Sequence, residues 1–144
     1  MNLLEAIEKK NAMKNILEDS ISYICDYTDI EKLSYNLTEI DKLVDDIFLF
    51  ERKINYLYQD VMITLNDSIY DTLVHIDALD KKIEILNTLL IEDNKREIKS
   101  GVESKLNRKA VLSSIGRYKT LKNNLEQKVR EVCYNTEFIT NIQG

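Results

Sequence analysis

Residues 30–61, IEKLSYNLTEIDKLVDDIFLFERKINYLYQDV, decide the fold class. Ile30, Leu33, Leu37, Ile40, Val44, Ile47, Ile54, Tyr58 and Val61 recur at alternating steps of three and four, and only Glu51 breaks the row. That spacing gathers every member on one face of an α-helix, whereas a strand would send alternate members to opposite faces. A helix from about Asp29 to Thr64 would be roughly 50 Å long at 1.5 Å per residue. Leu43, Phe48, Phe50, Leu57 and Met62 widen the apolar face beyond what a two-stranded coiled coil requires, so this helix should contact at least two neighbours.

The same period extends in both directions. Leu3, Ile7, Met13, Leu17, Ile21 and Ile24 mark a first helix over Met1 to Asp26, and Thr28 with Glu31 has the form of a capping box for the helix that follows. Downstream, Leu65-Asn66-Asp67-Ser68 reads as a break with a capping residue. Ile69, Leu73, Ile76, Leu79, Ile83, Leu86 and Leu90 then mark a third helix ending near Asp93. Residues 94–106 lose the period and contain Gly101, which predicts a long loop or a short strand-like excursion. Leu112, Ile115, Tyr118, Leu125, Val129 and Val132 mark a fourth helix, with a polar tail after Phe138.

Composition agrees. The chain has no proline and glycine only at 101, 116 and 144, so the residues that punctuate β proteins are missing. At 144 residues, 44% hydrophobic and without a linker-like stretch, it suits a single helical-bundle domain over 1–144. The expectation is an all-α antiparallel bundle of about four helices around one long central coiled-coil-like helix. No apolar run approaches the roughly 18 residues of a membrane span, and the acidic Glu5 stands where a signal peptide would be basic, so a cytoplasmic chain is expected. Helices one, three and four would span only 35 to 40 Å at the same rise, shorter than helix two. Its apolar ends would then need a second copy, which predicts a homo-oligomer.

Met1-Asn2-Leu3-Leu4-Glu5-Ala6-Ile7, the row of helix two, Asp77 to Leu86, Leu125 to Val129 and the ending Asn135-Thr136-Glu137-Phe138 together resemble the septicolysin-like family of small bacterial helical proteins. The family pattern carries a tryptophan where this chain has Tyr134. The resemblance implies an all-helical fold and supplies no catalytic residues.

Charge is uneven. Residues 95–122 hold nine lysines and arginines against Glu97 and Glu103, a local balance of +7 in a chain of net charge −5. Lys95, Arg96, Lys99, Lys105, Arg108, Lys109 and Arg117 could pair with phosphate, Ser100-Gly101 and Ser113-Ser114 could add donors, and Tyr118 could stack on a base. This pattern predicts capture of a small phosphorylated ligand, such as a nucleotide immune signal. Small phage proteins that act as sponges in anti-phage-defence evasion offer an analogy of charge and architecture only. The alternative is a structural or protein-interaction oligomer whose basic segment meets an acidic surface of its own or a sister chain. Duplex nucleic acid is disfavoured by the −12 balance of the remaining residues.

No hydrolase, metalloprotease or phosphate-loop motif is present, so a non-enzymatic protein without cofactor is expected. Asp71 and His75 have a metal-ligand spacing, but the chain has one histidine, and the bland reading is preferred. Cys25 and Cys133 read as reduced thiols at opposite ends of the bundle. Ser113, Ser114 and Gly116 suggest a close approach of two helices. Glu51, set among Ile47, Phe48 and Ile54, should meet a basic group, because an unpaired buried carboxylate is costly.

Overall fold

A computed structural model describes the backbone of residues 1–25 and 30–139, with side chains at 1–22 and 37–139. It is all-helical: α1 (Leu3–Cys25), α2 (Ile30–Asp60), α3 (Ile69–Ser100) and α4 (Arg108–Asn135). The chain divides into two compact units, residues 1–62 with 130 onward, and residues 63–129. The Thr28–Glu31 capping box predicted for α2 lies outside the described residues.

In the first unit α1 packs on α2. Asn2 starts α1 by accepting a hydrogen bond at Oδ1 from the Glu5 amide, 2.8 Å, satisfying one of the free donors of the first turn. Asn2 also forms an antiparallel bridge with Glu137. The Leu3 amide donates to the Thr136 carbonyl at 2.8 Å and the Phe138 amide to the Met1 carbonyl at 2.9 Å. Leu3, Ala6, Met13, Ile47, Phe50, Ile54, Cys133 and Phe138 are buried. The Phe50 and Phe138 rings stand 5.2 Å apart, with Lys9 Nζ 5.4 Å from the first ring and Lys53 Nζ 5.1 Å from the second. The Asn135-Thr136-Glu137-Phe138 ending thus pins the N-terminal segment while its phenylalanine enters the core.

The second unit is built on an α3–α4 hairpin. Ser68 caps α3: its hydroxyl accepts from the Asp71 amide at 3.1 Å while the Asp71 carboxylate accepts from the Ser68 amide at 3.0 Å. Gly101 ends the helix at φ 69°, a left-handed conformation that L side chains enter only with strain, and its amide donates to the Glu97 carbonyl. After the connection 101–107, Asn107 Oδ1 accepts from the Ala110 amide and starts α4.

The structure corrects the predicted course of the chain here. α3 does not stop near Asp93. Seven further residues, Asn94 to Ser100, continue the helix, and the connection shrinks to 101–107. α3 therefore has 32 residues against 31 for α2, so helix two is not longer than every other helix of the chain, although it exceeds the 23 residues of α1 that pack on it. The buried row of α2 also turns slightly from the predicted one. Ile47, Phe50 and Ile54 are buried, while Leu37 and Val44 are 53% and 44% exposed. At Gly116 an added methyl group would meet nothing within 4 Å among the described residues, so no described helix approaches closely there.

Candidate functional site

The last two turns of α3 carry Lys95, Arg96 and Lys99, all exposed, and the connection to α4 carries Lys105. An open hollow of about 610 Å³ runs along Leu89, Glu92, Asp93, Lys95, Arg96, Lys99 and Ser100. A neighbouring hollow holds Arg96, Ser100 and Lys105 together with Asp93, Glu97 and Glu103. Four of the predicted ligand-binding residues are thus brought to one end of the hairpin, in company with carboxylates.

Arg108 has a different task. Its Nε donates to Asp93 Oδ2 at 3.1 Å, and a second guanidinium nitrogen donates to Glu97. The Ser104 hydroxyl also donates to Asp93 and itself accepts from the Leu106 amide, tying the connection to α3. The Ser104 hydrogen bond, aided by Arg108 and Arg96, holds the Asp93 carboxyl below its ordinary value. The Asp93 hydrogen bond in turn raises the Arg108 guanidinium. Three donors converge on two carboxylates, so the guanidinium is engaged within its own chain rather than presented to a ligand.

The same logic repeats along the hairpin. Lys122 pairs with Asp80 and, at 3.6 Å, with Glu126; the Asp80 hydrogen bond raises its ammonium above the ordinary value. Lys82 Nζ lies 5.3 Å from the centre of the Tyr118 ring. The partners 93 and 108, 80 and 122, and 82 and 118 sum to nearly one number, the signature of an antiparallel pair in a single register. Tyr118 stands ten residues beyond Arg108, about 15 Å along α4, away from the α3 end. Arg117 is two and a half turns from Arg108, hence on the opposite side of α4, where it donates to Ser114 Oγ at 3.3 Å. Lys109 is exposed and forms no ion pair among the described residues. Arg117 and Tyr118 are therefore not gathered with the rest.

Asp93, Glu97, Ser104 and Lys122 organise the hairpin and were not singled out from sequence. Opposite charges nearly equally spaced about Gly101, Asp93 against Arg108 and Asp80 against Lys122, were the available signal.

Elsewhere, Glu51 does meet a base, Lys14. Its side chain is nevertheless 36% exposed and Phe48 is 60% exposed, so this is a surface pair and not a compensated buried charge. Asp71 serves the Ser68 cap, His75 is exposed, and no group of metal-binding side chains occurs among the described residues. Cys133 is free and buried, and burial raises its thiol, which stays protonated and poorly nucleophilic at neutral pH. Burial, with a contribution from Cys133, pushes the Tyr58 hydroxyl up to about 12. Among the described residues, no helix is long and apolar enough to cross a membrane.

No family model matches the chain, and no curated protein sequence does so either. The fold is similar to the crystal structure of a functionally unknown conserved protein from Corynebacterium diphtheriae, with a TM-score of 0.86 at 18% identity. The match covers 96% of this chain and 99% of that one. At this identity the likeness shows the fold alone.

Proposed function

We propose that this chain is a non-enzymatic helical protein that works by association, first of all with a second copy of itself. The observation that carries the reading is the set of large apolar side chains left exposed on the helices, among them Leu37, Val44 and Phe48 on one face of α2, Ile85 and Ile98 on α3 and Leu112 on α4. Exposed apolar side chains in water are unfavourable, and a partner that covers them recovers the cost of their hydration. The basic segment fits this reading too, since Arg108 and Lys122 are held by carboxylates of their own chain. Sedimentation velocity over a range of concentrations tests it: a species heavier than 16.9 kDa is expected, and a monomer throughout would refute the reading.

A second reading, capture of a small phosphorylated ligand such as a nucleotide, is favoured by one specific feature. Lys95, Arg96 and Lys99 border an open hollow beside the Ser100 hydroxyl, and Arg96 and Lys99 form no ion pair among the described residues. Glu92 and Asp93 in the same hollow oppose an anion, which places this reading second. A ligand at a hundred times its dissociation constant stabilises the fold by about 2.7 kcal/mol. A panel of nucleotides and phosphorylated metabolites that leaves the melting temperature unmoved would dismiss it.

A further inference from the structure

We infer that the outward face of α2 is a self-complementary surface that pairs antiparallel with the same face of a second copy. The inference rests on the association reading above and specifies its surface, its partner and its register.

The face is defined by Leu37, Asp41, Val44, Phe48, Arg52 and Asn55, which follow one another at steps of four, three, four, four and three along the helix. Such steps keep all six within one stripe of the surface, beside the Ile47–Phe50–Ile54 row that faces the core. All six are exposed. Near the stripe's C-terminal end, Phe48, Glu51, Arg52, Asn55, Tyr56 and Gln59 line an open, shallow hollow of about 280 Å³. Arg52 leans over the Tyr56 ring at 5.8 Å and forms no ion pair among the described residues.

The order of residues selects the partner. An isologous two-fold contact requires a surface that matches itself when reversed end for end. Reversing this stripe about a point between Asp46 and Ile47 lays Asp41 against Arg52 of the second copy and Phe48 against Val44. It also brings Leu37 to the hollow beside Tyr56. Acid falls on base, apolar on apolar, and a leucine on a hollow, each twice in the pair. A parallel pairing would instead stack Asp41 on Asp41 and Arg52 on Arg52, which repel. An unrelated partner would give no reason for the stripe to be its own complement. The strip is one helix wide, so association in the micromolar range is expected rather than tighter binding.

The test uses the full chain in sedimentation equilibrium from micromolar to several hundred micromolar, with circular dichroism to verify helix content. Wild type is expected to reach twice 16.9 kDa, and Phe48→Asp to stay at 16.9 kDa. Ile85→Asp, on an exposed position of α3, should associate like wild type. Asp41→Arg and Arg52→Asp should each weaken the dimer by about tenfold, and the double variant Asp41→Arg/Arg52→Asp should restore it. All four positions are exposed, so the variants should remain folded. A monomeric wild type would overturn this surface and the association reading together. An associating wild type whose assembly ignores Phe48→Asp, or follows Ile85→Asp instead, would overturn this surface alone. Failure of the double charge reversal to restore what each single reversal removes would overturn the antiparallel register.

Discussion

Two glycines show how differently one residue type can act. Gly101 sits at φ 69° and closes α3, so a Cβ there would be strained although nothing stands within 4 Å. Gly116 lies inside α4 with the same open space and no unusual backbone, so there its only effect is to loosen the unfolded chain and weaken the helix. Gly101→Ala should therefore cost about 1 kcal/mol and Gly116→Ala should gain about the same. Scanning calorimetry at one fixed protein concentration should find the two melting temperatures displaced in opposite directions by roughly 3 °C each. Shifts of the same sign would mean that one of these two backbone assignments is wrong. The sequence placed Gly101 in a loop and Gly116 in a contact. Composition identifies a glycine but not its φ or its neighbours, and those decide what it does.

The elements were legible wherever burial wrote a period into the chain, and illegible where ion pairs replaced it. α1, α2, most of α3 and α4 follow rows such as Leu3–Ile7, Ile47–Ile54 and Ile69–Ile76. The stretch Asn94 to Ser100 has no apolar row to read, yet lysine, arginine and glutamate are good helix formers, and Asp93 and Glu97 fix it to Arg108 across the hairpin. The basic island was likewise visible as composition, but its internal pairing depends on a register set by the length of the 101–107 connection. If Arg108 is the clamp, Arg108→Gln should speed amide hydrogen exchange in residues 95–100 several-fold while leaving the first turns of α3 protected. Equal exchange in the two proteins would remove the clamp from the account. Acid should do the same to wild type. The folded Asp93 carboxyl titrates below its ordinary value of 3.8, so its contribution is complete above about pH 4 and is lost as the pH falls through the lower folded value. Asp93→Asn should lack that acid step and show the loosened α3 end already at neutral pH.

At the scale of the molecule, association and anion capture respond differently to salt, because they draw on different parts of the charge distribution. Each chain carries −5, so two copies repel at long range, and added sodium chloride relieves that repulsion. The same salt weakens the exposed Asp41–Arg52 pairs of the inferred dimer, each of them worth little in water. The two effects oppose one another, while the Val44–Phe48 contact does not depend on ionic strength in this range. Dimerisation measured between about 50 and 500 mM salt should thus change by less than roughly threefold. A phosphorylated ligand held by Lys95, Arg96 and Lys99 has no such compensation. Its attraction comes from exposed cations at the α3 end, and screening should lower its affinity by about tenfold over the same range. Changing Arg96 and Lys99 to glutamine should abolish that salt-sensitive binding and leave the sedimentation of the dimer unchanged, since neither residue lies on α2. Assembly that collapses with salt, or with those two substitutions, would move the contact from the apolar row of α2 to the basic end of the hairpin.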